Sequence, residues 1–167
     1  GVGAFGSYSE AVTDHNVEAI YICTPHYLHS EHAIAATSAG KHVLIEKPIS
    51  DTIEGAQAII SSGRNHGVTL MVAENYRFMP VVRLCHKLIT DGSIGDIRLI
   101  QIQQESPYVP SDWRSEYDKN GGGVFIDAGI HKVHFLRYLL GNPTYVYATT
   151  PGSKESNPKQ EDGLLLI

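Results

Sequence analysis

Cysteine is scarce in this chain: Cys23 and Cys85 are the two present among 167 residues. They form no C-x-x-C pair and are too few for a disulfide framework. Two free thiols in a reducing, cytoplasmic compartment are expected. Basic charge is also short. Lys and Arg number 13 against 18 Asp and Glu, a formal net charge of −5, whereas sequence-independent nucleic-acid binding needs a basic surface. No apolar run approaches the roughly 20 residues of a membrane helix. No charged start followed by an apolar stretch marks a signal peptide. Internal repeats and low-complexity tracts are missing too. Nucleic acid and membrane are thereby set aside as partners. What remains is 42% hydrophobic and 19% charged, a composition that fits a globular protein rather than a disordered one. The chain starts at Gly1 and ends on the apolar run Leu164-Leu165-Leu166-Ile167. That run reads as a strand cut short, so a piece of something longer is expected.

Apolar periodicity alternates between short β-rich runs and helical stretches. Ser7 and Glu10 have capping-box spacing ahead of a short helix ending near Asn16. Ala19–Cys23 reads as a buried strand stopped by Thr24-Pro25, and 30–39 as a helix closed by Gly40. His42–Glu46 is the next strand. Asp51 and Glu54 repeat the capping-box spacing, with Ile53, Ala56, Ile60 and Gly63 as one helical face. A third strand is expected over 68–73 and a helix over 81–91, ended by Gly92. This alternation of wholly apolar strands with helices predicts an α/β fold whose parallel sheet is covered on both faces. Beyond Gly95 the texture changes: a longer strand over 97–105, a polar loop over 107–120, Gly121-Gly122-Gly123, a helix over 124–140 and a strand over 145–150. Pro151–Asp162 reads as a polar linker before the final run. A boundary near residues 92–97 divides the chain into domains 1–94 and 95–167.

Gly1, Gly3 and Gly6 match G-x-G-x-x-G, but no strand precedes them and no acid ends the next strand, so they read as a glycine-rich loop. Three other segments carry more. Thr24-Pro25-His26-Tyr27-Leu28-His29 and Glu46-Lys47-Pro48 each sit at the carboxyl end of a strand, where open α/β sheets bind ligands. In the third, Asp127, His131 and His134 fall at i, i+4 and i+7, within about 60° on an α-helix. Phe125, Val133, Leu136 and Leu140 form a separate core stripe. The polar stripe reads as an active-site wall or as a solvated face.

Thr24-Pro25 with His29, Glu46-Lys47-Pro48, Tyr76-Arg77-Phe78, Trp113-Arg114 and Gly-Gly-Gly…Asp127-x-Gly129-x-His131 together resemble the Gfo/Idh/MocA oxidoreductases. The resemblance runs in order from about Phe5 to Asp162. It implies the C-terminal part of a Rossmann NAD(P)-binding domain, followed by the start of an α+β substrate domain with a large open sheet. The family's own glycine fingerprint would then lie upstream. It also implies NAD or NADP as cofactor, a sugar or cyclitol as substrate, and a homo-oligomer. Lys47, Asp127 and His131 resemble the catalytic set. Cys23, Thr24, Pro25, His29, Glu46, Lys47, Arg77, Trp113 and Arg114 are expected on the cofactor side. Lys47, Tyr76, Asp127, His131 and His134 are expected on the substrate side. His26 and His134 stand where the family often has Asn and an acid.

The chemistry is coherent with those residue types. Oxidising a secondary alcohol removes a hydride from carbon and a proton from oxygen. A histidine accepts a proton near neutral pH, a carboxylate fixes its tautomer or binds a neighbouring hydroxyl, and a lysine stabilises the developing alkoxide. Other readings use the same residues. One is an NAD-dependent glycoside hydrolase of the same fold. Another is a metal enzyme built on Asp127, His131 and His134, and a third is a ligand-binding protein without turnover.

Overall fold

The computed structural model describes residues 3–105 and 110–149, and the backbone of Leu165–Leu166. Gly1 of the glycine pattern and the expected linker over 151–162 lie outside the described residues, as does part of the loop at 106–109. In chain order the elements are α1 (Tyr8–Thr13), β1 (Ala19–Ile22), α2 (His29–Ser38), β2 (His42–Ile45), α3 (Ile53–Asn65), β3 (Leu70–Val72), α4 (Pro80–Thr90), α5 (Tyr117–Asn120), α6 (Ile130–Leu140), β4 (Ala148–Thr149) and β5 (Leu165–Leu166). The chain forms two compact units. The first runs to Ala73 and includes Asp118–Gly121. The second holds Glu74–Tyr117 and the residues from Gly122 on. Residues 74–94, which the sequence reading assigns to the first domain, belong to this second unit.

In the first unit β1, β2 and β3 form a parallel sheet in that order, with Ala19 opposite His42 and Val43 opposite Leu70. Parallel pairing needs a crossover between strands, and α2 and α3 are those crossovers. Side chains alternate along a strand, so Ile22, Val43 and Ile45 share one face. They are buried with Ala33 and Ala36 of α2 and Ile59 of α3. The small alanines let α2 lie close against the strands. Gly40 ends the α2 turn at φ 76°, a left-handed conformation that costs glycine little. On the opposite face lies the row Tyr21–Leu44–Met71, in which Tyr21 is 53% and Met71 46% exposed.

The caps follow the sequence in one case and shift in another. Ser7 Oγ accepts from Glu10 N at 3.2 Å, as the first capping box predicts, and the Glu10 carboxylate reaches back to Gly6 N at 2.8 Å. The second helix start lies one residue later than expected. Thr52, not Asp51, caps α3 by accepting from Gly55 N at 3.1 Å. Of the expected face Gly63 is buried, together with Ile59, while Ile53 is 72% and Ile60 38% exposed.

In the second unit α4 starts on Pro80, which needs no N–H partner there, and packs against α6 and the turn Asn75–Phe78. The expected strand over 97–105 does not form. A strand needs a ladder partner, and among the described residues none pairs with it. The predicted helix over 124–140 opens with a wide turn, Phe125–Gly129, in which Ile130 N–H reaches Phe125 O five residues back. Such a turn inserts one residue relative to an α-helix and rotates everything downstream. Leu139 is therefore the buried residue near its end, while Leu140 is 52% exposed. Among the described residues no helix is long and apolar enough to cross a membrane.

Candidate active site

The first unit contributes the strand ends. Glu46 N donates to Ile22 O at 2.9 Å and Ala73 N to Ile45 O at 2.8 Å, so all three carboxyl ends finish on one edge. Cys23 is exposed there and Thr24 half-buried. Thr24 Oγ1 meets His32 Nδ1 at 3.1 Å. His29 is fully buried, its ring nitrogens 2.7 Å from Pro48 O and 2.8 Å from Thr24 O. It thereby ties the turn after β1 to the turn after β2. Enclosed in this way, the ring offers the strand ends position rather than contact. Lys47 is half-buried and joined to Pro48 by a cis peptide. The Glu46 carboxylate accepts from the Tyr21 hydroxyl. That bond, with a smaller contribution from Cys23, pushes the phenol well above its usual range.

His26 has a structural partner. Its ring is 3% exposed, with Nδ1 3.3 Å from Asn120 O and its face edge-on to His29 at 5.7 Å. Gly121 follows at φ 75°, with Asp51 only 2.6 Å from where a Cβ would stand. The histidine in the expected Asn position therefore anchors the 118–121 segment.

The second unit gathers the acid–base groups. The wide turn at 125–129 changes the surroundings of the polar stripe. Asp127 accepts from Arg114 Nε at 3.2 Å, and the Arg114 guanidinium lies over the Trp113 ring at 4.3 Å. His131 Nδ1 is 2.8 and 2.9 Å from the two oxygens of Glu74. Tyr76 stacks on the His131 ring at 4.5 Å and 10°. Lys132 Nζ donates to the Tyr76 hydroxyl at 3.0 Å. His134 Nε2 is buried and has no hydrogen-bond partner among the described residues. Arg77 is exposed, with its guanidinium 5.5 Å over the Tyr138 ring. Asp127 and His131 of the expected stripe thus face different partners, Arg114 and Glu74. Among the described residues no three His, Cys, Asp or Glu side chains converge as metal ligands.

Glu74 went unnoticed in the sequence. Its signal was its place just after the third strand, the same place that singled out Thr24 and Lys47 in the first two. The glycine of Asp127-x-Gly129-x-His131 also finds its reason here. A Cβ on Gly129 would stand 2.3 Å from Phe125 Cδ2, so only glycine lets the Phe125 ring fold over the wide turn.

These strand ends suit a nicotinamide dinucleotide. Carboxyl ends of parallel strands are where such sheets take ligands, and Thr24 and the half-buried Lys47 stand at those ends.

Comparison with known proteins gives the same direction. Residues 1–74 match the model of an oxidoreductase family with an NAD-binding Rossmann fold, and residues 82–166 match the GFO/IDH/MocA C-terminal domain. Levoglucosan dehydrogenase of Pseudarthrobacter phenanthrenivorans is 34% identical over 157 residues, 91% of this chain and 40% of that protein. An NADP-dependent scyllo-inositol 2-dehydrogenase of Bacillus subtilis is 33% identical over 149 residues, 88% of this chain and 41% of that protein. Among solved structures, levoglucosan dehydrogenase in complex with NADH and levoglucosan superposes with a TM-score of 0.83 at 30% identity, over 97% of this chain and 47% of that one. The chain spans less than half the length of these relatives.

Proposed function

The chain belongs to the Gfo/Idh/MocA oxidoreductase family, and from that membership we propose that it serves an NAD- or NADP-dependent enzyme oxidising or reducing a sugar or cyclitol at a hydroxyl or keto carbon. The observation that carries this reading is Lys47, a half-buried cation at the carboxyl end of a parallel strand in the NAD-binding half. Cys23, Thr24, Pro25, Glu46 and Lys47 face the cofactor in this reading, and His29 sets the two turns that carry them. Arg77, Trp113 and Arg114 complete the cofactor side. Bound nicotinamide supplies the hydride acceptor. Lys47 stabilises the developing alkoxide, and His131 takes the hydroxyl proton. Asp127, Tyr76 and His134 hold the neighbouring hydroxyls of the substrate. In the whole protein, a homo-oligomeric state and a cytoplasmic location complete the proposal.

The test uses the protein as its gene encodes it, offered levoglucosan, D-xylose and scyllo-inositol with NAD⁺ and NADP⁺. Reduced nicotinamide should form with at least one pair. Lys47→Ala and His131→Ala should each lower kcat by about 100-fold or more. Wild-type turnover in both variants, or no reduced nicotinamide with any pair, would refute the assignment.

A further inference from the structure

We infer that Glu74 is the positioning residue for the His131 base, the part that the sequence pattern alone offers to Asp127. The inference rests on the reading of His131 as the proton acceptor and adds the group that prepares it.

An ionised carboxylate only accepts hydrogen bonds. Both Glu74 oxygens lie within 2.9 Å of His131 Nδ1, so Nδ1 carries the ring proton. In the neutral ring the lone pair then sits on Nε2. Glu74 is itself fixed: it caps the turn Asn75–Phe78, with Oε1 accepting from Tyr76 N at 2.9 Å. Its side chain is 11% exposed and that of His131 17%, so the pair is largely shielded from water. The ring plane is set from a second direction by Tyr76, stacked at 4.5 Å. Tyr76 is clamped in turn by Lys132, whose Nζ lies 4.7 Å over its ring and donates to its hydroxyl. Asp127 is the other nearby carboxylate in the stripe, and it faces Arg114. An arginine partner leaves Asp127 suited to a substrate hydroxyl rather than to orienting a histidine.

The proton step then balances. The substrate O–H bond breaks and its proton forms a bond to His131 Nε2. The imidazolium charge is met by the Glu74 carboxylate, which keeps no proton itself. The carbon–oxygen double bond forms as the hydride leaves carbon with its electron pair, and a nicotinamide held at the strand ends would be the acceptor of that hydride.

The experiment measures Glu74→Gln and Glu74→Asp in the complete protein, with the substrate and cofactor pair found for it. Glu74→Gln should lower kcat about 10- to 100-fold while KM and cofactor affinity stay within about twofold, and Glu74→Asp should recover part of the loss. A structural role alone would not give that split. Nitrogen-15 NMR of the ring in the unmodified protein should show His131 with its proton on Nδ1, a readout that needs no variant to fold. An Nε2–H tautomer, or a Glu74→Gln enzyme with unchanged kcat, would overturn the inference. His131→Ala with full activity would instead overturn the underlying reading of His131, so the two failures are distinguishable.

Discussion

At the scale of single residues, the chain separates groups that hold from groups that react. His26 and His29 belong to the first kind. One is 3% exposed and bound to Asn120 O, the other fully buried between Thr24 O and Pro48 O. Their place beside Thr24-Pro25 is legible in the sequence, but their inward direction is not, since it depends on the helical turn at 26–28 that brings positions 26 and 29 to one side. Glu74 was missed for a different reason. It meets His131 across 57 positions, and no local spacing reveals which acid will reach a distant ring. Gly129 gives a prediction at this scale. Gly129→Ala places a methyl against Phe125, where the built Cβ stands 2.3 Å from the ring. Thermal unfolding should show a loss of about 1–3 kcal/mol, partly restored by Phe125→Leu.

At the scale of elements, the periodic segments were the legible ones. β1, β2, α2 and α4 lie within a residue or two of their predicted bounds, because apolar runs bounded by Pro, Gly and capping residues leave few alternatives. One miss has a physical origin in turn geometry, because local pattern does not count residues in a turn. Phe125–Gly129 holds one residue more than an α-helical turn, so a stripe drawn at 100° per residue puts Asp127 beside His131 although their partners differ. The packing of α2 against the turn after β1 also carries a pH dependence. His32 touches Thr24 Oγ1 and the Tyr8 ring, 4.3 Å away. Burial pushes its imidazole below the ordinary value of 6.5, against a smaller opposing pull from Glu31. The unfolded chain therefore takes up the proton first as pH falls. This contribution to stability is present above about pH 6.5 and is lost as pH drops below it. Unfolding curves from pH 8 to pH 5 should show stability falling on the acid side, and His32→Gln should flatten that slope.

At the scale of the molecule, the class was legible and its completion was not. The parallel order β1-β2-β3 and the strand-end motifs place the first unit among NAD-binding Rossmann folds. The run 97–105 has the composition of a strand, yet strand identity depends on a neighbour that its own residues do not specify.

The central claim is hydride transfer between a polyol carbon and nicotinamide, and isotopic labelling tests it most directly. The complete protein would be given levoglucosan, D-xylose or scyllo-inositol deuterated at the carbinol carbons, with NAD⁺ or NADP⁺, and the reduced nicotinamide analysed by mass spectrometry. Deuterium carried into the reduced nicotinamide from at least one polyol is the expected result. Consumption of a polyol with the label kept on its carbon, or no labelled nicotinamide from any of them, would contradict it.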